Sequence, residues 1–169
     1  MIILREACPP QPQAALPRCR YNGAARPATA MTIATPTLVE LKRRARAAAQ
    51  HAYAPYSGFA VGAAVLAANG AIHAGANVEN ASFGLTICAE RNAVFQAVAQ
   101  GVRSIEAVVL YTPTPSAATP CGACRQVLHE FGPEALIVCC TDDAAAERRY
   151  SLAELLPDAF GPDATDGRR

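Results

Sequence analysis

Three cysteines and one glutamate carry the chemistry this sequence can offer. Cys88 and Glu90 lie in Cys88-Ala89-Glu90-Arg91, and Cys121 and Cys124 in Pro120-Cys121-Gly122-Ala123-Cys124. Residues three apart face the same way on the first turn of a helix, which brings Cys121 and Cys124 together. Pro120 suits the start of that helix, and Gly122 leaves backbone room beside it. Alone, a Cys-x-x-Cys pair could be a redox dithiol. Cys88 lowers that reading, because a third thiol is superfluous for dithiol exchange and completes three-fold ligation of a zinc ion. A closed structural zinc site needs a fourth protein ligand, and His51, His73 and His129 all lack the spacing for one. The expected metal site therefore keeps one open position.

Glu90 is two residues beyond Cys88, ~200° around a regular helix. Both reach one site only if Cys88 sits at the helix cap with non-helical backbone. Glu90 is then a base beside the metal and not a fourth ligand. The plainer alternative is a helix-start glutamate that complements the dipole. Three thiolates on Zn²⁺ leave a local charge of −1, which blunts its power to acidify water. Two helix N-termini aimed at the metal would offset this, as would hydrogen bonds from Arg91 and Arg125 to thiolate sulfurs.

The elements around these residues follow from pattern. Thr37 can cap a helix with Leu38, Leu41, Ala45 and Ala48 on one stripe and Lys42, Arg43 and Arg46 outside it, ending at the turn Pro55-Tyr56-Ser57-Gly58. Strands over 59–67 and 71–77 are joined by Asn69-Gly70, a strong hairpin signal. A loop over 78–87 leads to the Cys88 helix, which Gly101 stops. A strand over 105–111 precedes a loop to Pro120, and the Cys121 helix stops at Gly132-Pro133. Residues 136–141 read as a buried strand, with Cys139 and Cys140 at core and edge positions. Ser151 and Glu154 form a capping box for a short helix ending at Leu156-Pro157. The order predicts α/β/α layers: a mixed sheet with helices on both faces.

Composition bounds the rest. The chain has 169 residues, 51% of them hydrophobic, which suffices for one core. Its net charge is +1 with no basic face, which disfavours a nucleic-acid partner. No stretch approaches the ~20 apolar residues that span a bilayer. Seven cysteines in close pairs, with no signal peptide, fit a reducing cytoplasm. Residues 1–30 hold five prolines without periodicity and read as a disordered extension, with Met31 as an alternative start. Cys8 and Cys19 fall in that stretch. Residues 31–169 read as one zinc-dependent domain.

Ala52-Tyr53-Ala54-Pro55-Tyr56-Ser57-Gly58-Phe59, Asn77-Val78-Glu79-Asn80-Ala81, Cys88-Ala89-Glu90-Arg91 and Pro120-Cys121-Gly122-Ala123-Cys124-Arg125-Gln126 together carry a resemblance. From about Leu38 to Pro162 the sequence resembles cytidine deaminases of the short, homotetrameric, three-cysteine zinc type; the pattern of glutamate and Pro-Cys-x-x-Cys is also a signature of zinc nucleobase deaminases in general. The resemblance implies a three-layer α/β/α fold around a five-stranded mixed sheet. It implies hydrolysis of cytidine and 2′-deoxycytidine to uridine and 2′-deoxyuridine plus ammonia, in pyrimidine salvage. Metal-activated water would attack C4 while Glu90 passes a proton to N3 and then assists the leaving amine.

The same resemblance implies zinc on Cys88, Cys121 and Cys124, and Glu90 as proton shuttle. Asn77 and Glu79 match positions that bind the sugar hydroxyls, and Phe59 an aromatic packed at the nucleoside. The backbone around Ala89 and Thr119 matches groups that read the base edge. Phe160 resembles an aromatic contributed from a neighbouring subunit, so that a homotetramer would share its active sites. The chain departs at Phe83, where such enzymes often carry Tyr, and in its N-terminal extension. A deaminase of modified cytosine nucleosides, of the blasticidin type, is the nearest enzyme rival, and Asn77-Val78-Glu79-Asn80 with Phe160 favours plain cytidine. A non-catalytic zinc scaffold is the rival from another class, and the retained Glu90 argues against it.

Overall fold

A mixed five-stranded sheet in the order β2-β1-β3-β4-β5 organises the computed structural model, which describes residues 32–161. The expected extension over residues 1–30, with Cys8 and Cys19, lies outside the described residues. The strands are β1 (Gly62–Ala67), β2 (Ile72–Ala76), β3 (Ile105–Tyr111), β4 (Leu136–Cys140) and β5 (Arg148–Ser151), and the α-helices α1 (Thr35–Ala49), α2 (Ala89–Ala99), α3 (Gly122–Phe131) and α4 (Leu152–Leu155). Among these five strands only β3 and β4 pair in parallel. They are joined by α3, as a parallel pair needs a crossover of a dozen residues or more.

Each face of the sheet closes a separate apolar cluster. Leu38, Leu41, Ala45 and Ala49 of α1 pack with Ala64, Leu66, Val109 and Val138 on one side. Ala89, Ala93, Val94 and Ala97 of α2, with Leu128 of α3, pack with Val65, Val108 and Ile137 on the other. These are the expected three layers. The hairpin turns at Asn69-Gly70 as expected, with Gly70 at φ 82° and its N–H donating to the Ala67 carbonyl at 2.8 Å.

Four local expectations are corrected. Thr37 does not cap α1: the helix starts at Thr35 after Ala34, with Pro36 in its first two positions and no side-chain cap. Proline's fixed φ begins a helix without a capping acceptor. That helix ends at Ala49, before the Pro55 turn, and Ala49 takes the buried place expected of Ala48. Cys139 and Cys140 are both core residues, because β4 lies between β3 and β5; they face opposite clusters. Burial pushes their thiols up to about 12 and about 11, so neither is a reactive thiolate at neutral pH. Finally, β5 has no alternating apolar signal, since Arg148 and Arg149 are exposed and Ser151 alone is fully buried. Its last residue then caps α4 through the predicted box with Glu154.

Two glycines set how closely the helices lie on the sheet. A Cβ on Gly62 would sit 1.9 Å from the Ala45 carbonyl oxygen of α1, and one on Gly75 2.5 Å from the Ala93 nitrogen of α2. Both obstacles are backbone and cannot swing aside. Gly75→Ala is therefore expected to cost ~3 kcal/mol, at the upper end for overpacking, or to lift α2 off β2. A denaturation midpoint matching the wild type would show that α2 does not need this contact.

The sheet also decides where the chemistry sits. β2 and β3 are both antiparallel to β1, so they run in the same direction and end at the same edge. The loops leaving Ala76 and Tyr111 reach Cys88 and Cys121 there, and α2 and α3 both begin at that edge. Carboxyl ends of strands, with helix N-termini above them, are the usual ligand side of an open α/β sheet.

Candidate functional site

Cys88 and Cys121 hold equivalent places. Each is the N-cap residue of its helix, with extended backbone (φ −71°, ψ 158° and φ −68°, ψ 165°), and neither side chain is spent on capping. Their carbonyls accept the first helical bonds, from Asn92 N–H at 3.1 Å and Arg125 N–H at 3.0 Å. This is the non-helical cap that the Cys88–Glu90 spacing required. It frees both thiols to turn toward the axis between the helix starts, while Cys124 joins them from the first turn of α3.

The sulfurs meet as metal ligands do. Cys88 Sγ is 3.9 Å from Cys121 Sγ, and Cys121 Sγ is 3.5 Å from Cys124 Sγ. Tetrahedral ligation with Zn–S near 2.3 Å sets sulfurs about 3.8 Å apart, so the donor set fits zinc. All three ligand atoms lie within 4.8 Å of one another, and theirs is the one such group of His, Cys, Asp or Glu among the described residues. The distances are far from the ~2.05 Å of a disulfide. Among the described residues no fourth protein ligand joins them.

Charge is organised around the same point. The Cys88 thiol is held below its ordinary range by a hydrogen bond from the Cys124 thiol, with help from Arg91 and Cys121 against the effect of burial. Cys124 is pushed up in turn, by its bond to Cys88, by burial and by the nearby Glu90. Glu90 is 3% exposed. Burial raises its carboxyl above the usual range, and the charge on Cys88 adds to this; its own backbone N–H and the Cys124 thiol hydrogen-bond to it and oppose the rise. A dipole-complementing surface residue is a poor description of a carboxyl buried beside three thiols.

The two arginines part company. The Arg91 guanidinium donates to Cys88 Sγ at 3.6 Å and to the Thr86 carbonyl at 3.2 Å, near the expected role. Arg125, expected at a thiolate, bonds elsewhere: to the Pro120 carbonyl at 2.7 Å, the Leu155 carbonyl at 2.7 Å and Thr119 Oγ1 at 3.2 Å. It braces the turn that precedes Cys121. The reason is directional, since oxygen acceptors flank Arg125 on both sides of the α3 N-terminus and satisfy its fork.

A second group of expected residues gathers in the loops beside the metal helices. Asn77 is buried, its Oδ1 accepting from Val61 N–H at 2.8 Å and its Nδ2 donating to the Phe59 carbonyl at 2.9 Å. One lone pair and one N–H remain for a ligand. Glu79 accepts from Tyr56 N–H at 2.9 Å, from Ser57 N–H at 3.2 Å and from the Ser57 hydroxyl. The Ser57 hydroxyl bond chiefly holds its carboxyl below the usual range, with the two backbone N–H groups helping against the effect of burial. Ser57 Oγ also accepts from Phe59 N–H at 3.0 Å. Phe59, Asn77 and Glu79 are thus tied into one unit. A two-residue ladder joins that unit to the cysteine cluster: Val78 and Ile87 exchange backbone bonds of 2.9 and 3.0 Å, one residue from Asn77 and one from Cys88.

Ala89 is buried at the first position of α2. Thr119 is exposed beside the Arg125 fork. Phe160 stands apart, 66% exposed, its carbonyl bonded to Gln126. Phe83 lies in a short 3₁₀ turn (Phe83–Leu85) and meets Tyr56 edge-to-face with ring centroids 5.8 Å apart. Three contributors have roles that no spacing in the sequence indicates, although Ser57 and Gln126 lie within the motifs that carry the resemblance. Ser57 pins Glu79; Asn92 donates to the Ala76 carbonyl at 2.8 Å and fixes α2 to the end of β2; Gln126 holds Phe160. Single polar side chains of this kind have no spacing by which to find them.

Comparisons with known proteins agree with this geometry. Residues 36–140 match the family model described as the cytidine and deoxycytidylate deaminase zinc-binding region. A cytidine deaminase of Sporosarcina psychrophila is 43% identical over 124 residues, covering 73% of this chain and 91% of that protein. A cytidine deaminase of Mycobacterium tuberculosis is 46% identical over 123 residues, covering 73% and 89%. Among solved structures, a cytidine deaminase from Burkholderia pseudomallei superposes with a TM-score of 0.69 at 46% identity, covering 72% of this chain and 98% of that one.

Proposed function

The chain belongs to the cytidine and deoxycytidylate deaminase family, and we propose that it hydrolyses cytidine and 2′-deoxycytidine to uridine and 2′-deoxyuridine, releasing ammonia. One observation carries the reading: Glu90 is buried on the first turn of α2, beside three sulfurs at the spacing of zinc ligands. Cys88, Cys121 and Cys124 would hold one zinc ion, which when bound supplies the Lewis acidity that makes water a nucleophile near neutral pH.

The chain's own residues do the rest. Glu90 takes a proton from water as its oxygen adds to C4 of the cytosine ring, and delivers that proton to N3. Glu90 then takes the remaining proton from the C4 hydroxyl and hands it to the amine; as the C4–N bond breaks, the C4 carbonyl forms and ammonia leaves. The backbone at Ala89 and Thr119 meets the base edge. Asn77 and Glu79 bind the sugar hydroxyls, for which an amide and a carboxylate are suitable partners. Glu79 Oε1 keeps a lone pair beyond its bond to Ser57, so the carboxylate that shapes the loop carrying Phe59 can also meet a sugar hydroxyl. Arg91 restrains the charge on Cys88.

An isolated chain leaves this site ringed by exposed apolar side chains: Tyr56, Phe59, Phe83 and Leu85, with Phe160 beyond them. Such exposure is unusual for a monomer and supports assembly. A homotetramer in which Phe160 of one subunit closes the site of another fits it, and the active species should sediment as that assembly. Among the described residues no helix is long and apolar enough to cross a membrane. Salvage of pyrimidine nucleosides in the cytoplasm is the role that accords with a small nucleoside substrate and reduced thiols.

The test is product analysis across three substrates. Cytidine and 2′-deoxycytidine should give equal amounts of the uracil nucleoside and ammonia. Free cytosine lacks the hydroxyls that Asn77 and Glu79 bind and should react at least ~100-fold less efficiently, the worth of about two hydrogen bonds. Cytosine turned over as well as cytidine would contradict sugar recognition.

A further inference from the structure

The segment that follows α4 carries an exposed aromatic ring, yet its backbone is tethered. Gln126 Nε2 donates to the Phe160 carbonyl at 2.8 Å. One residue earlier, Arg125 donates to the Leu155 carbonyl at 2.7 Å, where the segment begins. One turn later His129 lies against Gly161, its Nε2 3.3 Å from where a Cβ would stand. Residues 125, 126 and 129 are related as i, i+1 and i+4, a single face of α3. Between the two anchored carbonyls the chain turns at Asp158, whose φ of 53° lies in the left-handed region that aspartate tolerates better than most residues.

Ordinarily a terminal segment is held by burying its largest side chain. Here Phe160 is 66% exposed, and carbonyl tethers to α3 do the holding. An arrangement that fixes the peptide and leaves the ring free presents the ring to something else. The same helix start carries Cys121 and Cys124, so the reach of Phe160 is set relative to the metal helix of its own subunit.

We propose that Gln126 is a positioning residue: its side-chain amide fixes the Phe160 peptide on α3 so that the ring enters the nucleoside site of the adjacent subunit. The inference rests on the assignment of Phe160 to a neighbour's site under the proposed function. Gln126 acts through the Phe160 backbone. Without this bond the ring samples many positions, and the neighbouring site loses hold of the nucleoside while keeping its chemistry.

Two substitutions separate the hydrogen bond from packing: Gln126→Ala removes the side chain, and Gln126→Glu keeps its size but removes the N–H donor. Both should raise KM for cytidine ~5–10-fold, the worth of one hydrogen bond, with kcat, zinc content and melting temperature at wild-type values. Phe160→Ala should raise KM at least as far. Co-expressing Gln126→Ala chains with an excess of Glu90→Gln chains gives the decisive arm. The Glu90→Gln chains have almost no turnover of their own but present an intact Phe160, so the remaining activity should recover the wild-type KM. A raised KM that mixing does not restore would put the effect in Gln126's own subunit and overturn the proposal. So would a wild-type KM in Gln126→Glu alongside a raised KM in Phe160→Ala. If Phe160→Ala itself leaves KM unchanged, the assignment of Phe160 fails, and that outcome is distinguishable from failure of the tether.

Discussion

Glu90→Gln is expected to keep its zinc and its fold and to lose nearly all turnover. The substitution keeps the size and shape of a side chain that is only 3% exposed. It also relieves the burial of an ionisable group, so the folded state has no reason to weaken. Turnover should fall by more than the ~10²–10⁴-fold typical of one acid–base group, because the same carboxylate serves several proton transfers in one cycle. A pyrimidine riboside already hydroxylated at a tetrahedral C4 resembles the adduct formed during the reaction. It should bind the wild type far more tightly than cytidine does, and part of that advantage should vanish in Glu90→Gln, whose amide cannot accept the hydroxyl proton in the same way. Zinc content, cytidine rate and the analogue's inhibition constant on both proteins check this together. A Glu90→Gln protein that deaminates at close to the wild-type rate would reduce Glu90 to a helix-start residue.

Cys121→Ser or Cys124→Ser should abolish activity by a different route, through loss of the metal. Thiolate is the ligand that zinc selects here, and a serine hydroxyl is not deprotonated at neutral pH to replace it. Either substitution leaves two thiols of the three-sulfur cluster, too few for three-fold ligation. Metal analysis should find one zinc per wild-type chain and well under half of that in either mutant. A readout independent of activity is thiol counting. Chelation of the wild type should make two further thiols per chain reactive, those of Cys88 and Cys121, whereas burial keeps Cys124, Cys139 and Cys140 inert in both states. Full zinc and full turnover in either mutant would remove the ligand assignment.

The residues of the metal cluster are legible in the sequence because their chemistry imposes spacing. Two thiols three apart on one helix start, and a carboxylate two from the third thiol, leave few geometries, and the cap position of Cys88 follows from the helical angle alone. Strands β3 and β4 are legible as apolar runs, broken in β3 by the exposed Glu106, since both faces of a central strand are buried. What stays hidden lacks a pattern of that kind. β5 begins with two exposed arginines and is held by its backbone bonds to β4, which leave no mark on composition. Thr37 offers a familiar capping signal for the start of α1, while Pro36 starts the helix without one. Adjacency in sequence points Arg125 toward the thiolates, but its guanidinium finds three oxygen acceptors instead. Contacts between side chain and distant backbone, such as Gln126 to Phe160, depend on tertiary placement and emerge only with the fold.

Three thiols and Glu90 together make a zinc-dependent cytidine deaminase, and one measurement tests that claim most directly. Purified protein of known zinc content is mixed with cytidine and its absorbance followed, with ammonia measured at the end, before and after removal of the metal by a chelator. The zinc-loaded protein should consume cytidine with one ammonia released for each uridine formed, the stripped protein should be inert, and restored zinc should restore the rate. Cytidine left unchanged by a folded, oligomeric protein carrying one zinc per chain would contradict the account.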